Sequence, residues 1–216
     1  MKEQANKKAP FFSKRYIVYD FIRIFGLIPG VIWFRPKFVY ESKAAKKRIR
    51  GGALVISNHL GFYDPVYLFF AIWYRRQHFV CKKEFFEGKS RTLFKWFCCI
   101  PIDTQNPGVK SFKEIVSHLK LNKVVTIFPE GHVNDGSGQM DQFKSGMVLM
   151  ALQSGKPIVP VYVKEKKHFY NRLVFVIGEP VNVASEDGGR PDLKRIEEIT
   201  RELRGKEDEL AALLNK

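Results

Sequence analysis

The apolar positions of this chain fall into short runs of two kinds. Ala53 to Ser57 and Val124 to Phe128 are continuous, β-branched-rich runs of strand length, the first opened by the turn signal Gly51-Gly52. Runs of this length and composition read as strands buried on both faces. Further strands are expected at 78–81, 99–102, 158–163 and 173–177. Helical segments are expected between them, at about 65–74, 85–97, 109–121 and 143–153, with a last helix from about Asp192. Asp64-Pro65 opens the first of these, with Asp64 placed as the N-cap and Pro65 at the first helical position. Upstream, Tyr16 to Phe34 reads as a helix, apolar nearly all round and broken near Pro29-Gly30.

Strand alternating with helix argues for an α/β fold, here a single domain with a mixed, mostly parallel sheet flanked by helices. Three parts are drawn: an N-terminal interfacial helical segment (1–38), a main domain (39–190) and a C-terminal helix (191–216). That last helix balances acidic and basic residues, as a solvated face does.

Charge adds a second layer. The formal net charge is +15. Residues 1–100 hold 20 Lys and Arg against 6 Asp and Glu, and 23 of the 30 aromatic residues. Five basic residues crowd into 43–50. A basic surface suits nucleic acid or an anionic membrane equally. Interleaved Phe, Trp and Tyr favour the membrane interface, and neither a zinc-ligand spacing nor an RNA-recognition signature supports nucleic acid. The longest early uncharged run, Ile24 to Phe34, is 11 residues. Crossing a bilayer takes about 20, so a peripheral or monotopic attachment is expected. The three cysteines, two of them adjacent, form no disulfide framework, and no signal peptide is apparent. Both features point to a reducing, cytoplasmic side.

Candidate chemistry sits at the strand ends, where α/β proteins gather ligands. In Asn58-His59-Leu60-Gly61-Phe62-Tyr63-Asp64, a His and an Asp five residues apart can fold back so that the carboxylate holds one ring nitrogen. The other nitrogen is then free to take a proton from a hydroxyl. The alternative is that Asp64 merely caps its helix. No nearby Ser or Cys is placed as a nucleophile, so direct attack by a substrate hydroxyl fits better than a covalent acyl-enzyme. A second block, Phe128-Pro129-Glu130-Gly131-His132, can present a carboxylate and backbone N–H groups to a polar substrate, or be an ordinary turn.

In order and spacing, these blocks resemble the glycerophosphate/lysophosphatidate acyltransferase family over roughly residues 35–180. Asn58-His59…Asp64 matches the family's NHxxxxD motif, and Phe128-Pro129-Glu130-Gly131 its FPEG motif. Phe143-Lys144-Ser145-Gly146 is similar to its FKxG segment, and Ile158-Val159-Pro160-Val161 to its last proline-containing strand. There are two departures. Cys98 stands where the family usually has Gly, with Asp103-Thr104 in place of Asp-Arg; and Glu130-Gly131 continues His132-Val133 rather than Thr-Arg. Both missing arginines are of the kind that grips a phosphate bidentately. Lys82, Lys83 or Lys144 can replace them only as point charges.

The resemblance implies transfer of a fatty acyl group from acyl-CoA or acyl carrier protein to the free hydroxyl of lysophosphatidate. His59 and Asp64 would be catalytic, and Asn58, Glu130, Gly131, Lys82 and Lys144 would bind substrate. Neither metal nor cofactor is expected beyond the co-substrate. The expected partners are a lysophospholipid and the anionic cytoplasmic membrane surface, with no nucleic acid. Two other readings stay open: another lysolipid acceptor, or a lipid-binding protein without catalysis.

Overall fold

The computed structural model describes residues 16–88, 91–103, 108–133, 140–164, 171–183 and 192–214. The lysine-rich stretch 1–14, Thr104 and the middle of the Gly- and Asp-rich loop 130–142 lie outside the described residues.

Seven strands form one sheet: β1 (Lys37–Tyr40), β2 (Ala53–Ile56), β3 (Gln77–Lys82), β4 (Ile100–Ile102), β5 (Val124–Ile127), β6 (Ile158–Val163) and β7 (Val174–Ile177). Their order is β1-β7-β6-β2-β5-β3-β4. Only β6 and β7 pair antiparallel. The expected mixed, mostly parallel sheet is what forms. At the centre, β2 and β5 are buried throughout, as their unbroken apolar runs require.

The alternation of side chains sorts the core into two layers. Leu54, Ile56, Val125 and Ile127 face one side, where they meet α5 (Val109–Lys120), α6 (Gly146–Ser154) and α7 (Leu193–Ala212). Ala53, Val55, Val124 and Val159 face the other, against α3 (Asp64–Ala71). The helices α1 (Ile17–Phe25) and α2 (Leu27–Phe34) lie outside α3. On the β3–β4 side, the helix expected at 85–97 divides into a 3-10 turn, Lys83–Phe86, and α4 (Arg91–Trp96).

Three further expectations change. The break between α1 and α2 falls at Gly26, with a 48° bend, not at Pro29-Gly30. Pro29 sits in the first turn of α2, where its missing N–H removes no helical bond. Gly30 serves contact instead: a Cβ there would come within 2.2 Å of the Phe70 ring, so only glycine lets α2 lie this close to α3.

The boundary drawn at residue 38 also fails, because it cuts β1, which pairs with β7 along its whole length. Nor is α1 a detachable arm. Arg76 grips both oxygens of the buried Asp20 at 2.8 and 2.7 Å, and the Tyr19 hydroxyl accepts the Gln77 backbone N–H at 3.0 Å. Finally, α7 is only half solvated: Ile196, Ile199, Leu203, Glu207 and Leu210 are buried along one face.

Candidate active site

Because β2 and β5 are parallel neighbours, the segments that follow them emerge side by side at one end of the sheet. After β2 comes Asn58, which is buried. Its side-chain N–H donates to the Val163 carbonyl at 3.0 Å, and its oxygen accepts the Val163 backbone N–H at 2.8 Å. The side chain therefore extends the β2–β6 pairing past the last strand residue and fixes where His59 leaves the sheet.

The turn 60–63 then folds Asp64 back on His59. Asp64 is not the N-cap; Tyr63 holds that place, and Asp64 makes no capping bond. Its Oδ2 instead lies 2.8 Å from His59 Nδ1 and accepts the backbone N–H groups of Leu60 at 2.6 Å and Gly61 at 2.8 Å. A carboxylate oxygen that already accepts two N–H donors takes the third proton from Nδ1 as well, which leaves the lone pair on Nε2. The His59 ring stacks on Phe128, with centroids 4.1 Å apart and planes at 16°. Asp64 is nearly sealed from solvent, whereas His59 keeps an exposed edge.

After β5, Glu130 turns inward. It is 1% exposed, and its two oxygens accept the backbone N–H groups of His59 at 3.1 Å and Asp141 at 3.0 Å. The carboxylate expected to meet the acceptor is thus committed to bracing the His59 loop. Asn58, expected beside it as a substrate contact, is likewise spent on Val163. Gly131 does line the cavity described next, at φ +79, a backbone region that L side chains rarely enter. A Cβ there would lie 2.6 Å from Lys144 Nζ, so Gly131 makes the room for that ammonium.

His59 lines a cavity of about 1060 Å³ whose wall is largely aliphatic and aromatic, with Phe69, Phe94 and Met147 among the lining residues. Lys82 and Lys144 also line it, and both are exposed. Lys83 points elsewhere and pairs with Asp103 at 2.5 Å. Cys98, in place of the family's usual glycine, has φ +58, which explains why glycine suits that position. All three cysteines are free thiols. Among the described residues no cluster of His, Cys, Asp and Glu could hold a metal ion.

Two groups behind the site gave no local signal in the sequence. Arg204 on α7 donates to the Met140 and Asp141 carbonyls, from Nε at 3.2 and 3.0 Å and from a terminal nitrogen to Met140 at 2.5 Å. Asp141 in turn braces Glu130. Glu207, one turn further along α7, is completely buried nearby. A second His–Asp contact, His132 Nε2 to Asp141 Oδ2 at 2.7 Å, lies on the solvent side and is half exposed.

Comparison with known proteins agrees with this geometry. A family model described as acyltransferase matches residues 37–164. A 1-acyl-sn-glycerol-3-phosphate acyltransferase of Bacillus subtilis is 28% identical over 165 residues, 74% of this chain and 81% of that protein. One from Limnanthes alba is 36% identical over 151 residues, 64% of this chain, which spans only 50% of the plant protein. The crystal structure of the 1-acyl-sn-glycerophosphate (LPA) acyltransferase from Thermotoga maritima superposes with a TM-score of 0.64 at 19% identity, covering 93% of this chain and 81% of that one. The same α/β architecture is present in both. Since the family match takes in both strand-end segments and spans more than half of the chain, the protein belongs to the acyltransferase family.

Proposed function

We propose that the chain acylates the free hydroxyl of lysophosphatidate, taking a fatty acyl group from a thioester donor, acyl-CoA or acyl carrier protein, and producing phosphatidate. The observation that carries this reading is the His59–Asp64 pair, with Nδ1 held at 2.8 Å, on the wall of a large apolar cavity. Nε2 of His59 takes the proton of the acceptor hydroxyl as its oxygen attacks the thioester carbonyl. The tetrahedral adduct then collapses, the carbon–sulfur bond breaks, and the imidazolium returns the proton to the leaving thiolate. Asp64 holds the ring and stabilises its positive charge; base assistance of this kind gives about 10²–10⁴-fold. The apolar wall matches an acyl chain, since each methylene left in water costs about 0.8 kcal/mol.

The surface supports a peripheral or monotopic attachment to an anionic membrane, on its cytoplasmic face. Among the described residues no single helix is long and apolar enough to cross a bilayer. Ile17, Phe21, Phe25, Ile28, Ile32 and Trp33 nevertheless stand exposed on α1 and α2. The basic stretch 43–50 adds about 1 kcal/mol per residue at an anionic surface.

Acyl transfer from a labelled thioester to a panel of lysolipids tests the reading. Phosphatidate formation that disappears in His59→Ala is expected. Lipid binding with no acyl transfer to any acceptor would overturn it.

A further inference from the structure

The helix α7 lies wholly outside the matched segment 37–164, yet it places a carboxyl group in the interior behind the active site. Glu207 is 0% exposed, and neither side-chain oxygen has a hydrogen-bond partner of normal geometry among the described residues. A buried carboxylate in that position is costly unless it is paired or protonated. Its surroundings offer no dedicated counter-ion. The charged groups that face it are Glu130 from the loop after β5, and Arg204 and Asp208 from α7 itself; the nearest backbone donor is the N–H of Val161 on β6. Arg204 is already engaged with the carbonyls of Met140 and Asp141 and with Asp208. The packed elements α6, β6 and β7 contain no Asp, Glu, Lys, Arg or His, and Tyr162 is the one titratable side chain they bring to this face.

Glu130 is the carboxylate whose two oxygens hold the His59 and Asp141 backbones. A second negative charge beside it, in a site closed to water, repels it strongly, and the two groups avoid being ionised together.

We infer that Glu207 is a positioning residue of the active site, a neutral carboxylic acid packed behind Glu130 that keeps the Glu130–His59 brace in place until it ionises. The acyltransferase reading is assumed for the kinetic arm of the test only. Burial above all, and then the neighbouring Glu130, push the Glu207 carboxyl up to about 8, against the smaller opposing effect of the Val161 N–H. Because the folded-state value is raised, the stabilisation is complete below the unfolded value near 4.5 and is lost as pH rises towards about 8.

Two measurements on the full-length chain test this. In the first, melting temperature is followed from about pH 5 to about pH 9 for the unmodified chain and for Glu207→Gln, which cannot ionise. The advantage of Glu207→Gln should grow with pH, by about 5–10 °C across that window. A difference that stays constant with pH would overturn the neutral-acid assignment without any substrate being involved. In the second, kcat of the unmodified chain should fall about tenfold between about pH 7 and pH 9, and the ratio of the two rates should approach one in Glu207→Gln. An unmodified chain with no alkaline fall, or the same fall in both proteins, would overturn the positioning role. A chain without acyl transfer at any pH would instead sink the acyltransferase reading, and the melting experiment would still decide the state of Glu207.

Discussion

Oε1 of Glu130 accepts the backbone N–H of His59 at 3.1 Å, across 71 residues of chain. The two residues follow the parallel neighbours β5 and β2, and the bond locks one emerging loop onto the other. Since Oε2 takes the Asp141 N–H, both oxygens of a buried carboxylate are needed as acceptors. Glu130→Gln supplies one acceptor and one misplaced donor group. It should cost about 1–3 kcal/mol of stability and lower kcat, while the KM for acceptor changes little. A raised acceptor KM at constant kcat would return Glu130 to the substrate-contact role expected from the motif.

Asp64 is the sharper test of the chemistry. It makes no capping bond, so Asp64→Asn does not act by unravelling α3. It removes the charge opposite the imidazolium and leaves one oxygen for three donors. We expect kcat to fall by about 10²–10⁴-fold, with the fold retained by circular dichroism. Near-full activity in this variant would mean that the carboxylate orders the turn at 60–64 and nothing more.

The sequence made the central strands, the His–Asp pair and the order of the motif blocks readable, because each is written in contiguous residues. β1 escaped notice because Lys37-Phe38-Val39-Tyr40 is only four residues long and is defined by a partner strand well over a hundred positions away. Asn58 and Glu130 were placed correctly but given the wrong neighbours: motif spacing says that a polar group lies at a strand end, not which way it turns. Arg204 and Glu207 were invisible for a related reason. On a helix with balanced charges, nothing local distinguishes a buried glutamate from a solvated one.

Attachment to membranes should depend on the exposed apolar face of α1 and α2 and on salt. Replacing Phe25, Ile32 and Trp33 together by Ser should weaken binding to vesicles containing anionic lipid, without lowering the melting temperature, since all three side chains are more than 60% exposed. Added salt should weaken binding further, because the Debye length at physiological ionic strength is about 8 Å. Deleting residues 1–38 is the wrong experiment, since it removes half of β1 and the Asp20–Arg76 pair and should unfold the domain. Binding that ignores both the triple replacement and salt would place the membrane surface elsewhere.

The acceptor phosphate must be held without arginine at positions 104 and 133. Of the lysines considered for that task, Lys83 is occupied by Asp103, whereas Lys82 and Lys144 line the cavity. Lys144 is the better placed of the two. Its backbone N–H is fixed to the Pro129 carbonyl at 3.0 Å, and its ammonium lies over Gly131, a residue or two from the His59 brace. Lys144→Ala should therefore raise the KM for lysophosphatidate about tenfold or more, the scale of a lost charge-assisted bond. The KM for an acceptor with a neutral headgroup should move far less. Lys82→Ala should show the same split more weakly, and Lys83→Ala should show none. If Lys144→Ala and Lys82→Ala affect the two acceptors equally, the site does not read that phosphate. The acceptor is then a different lysolipid, with the chemistry at His59 unchanged.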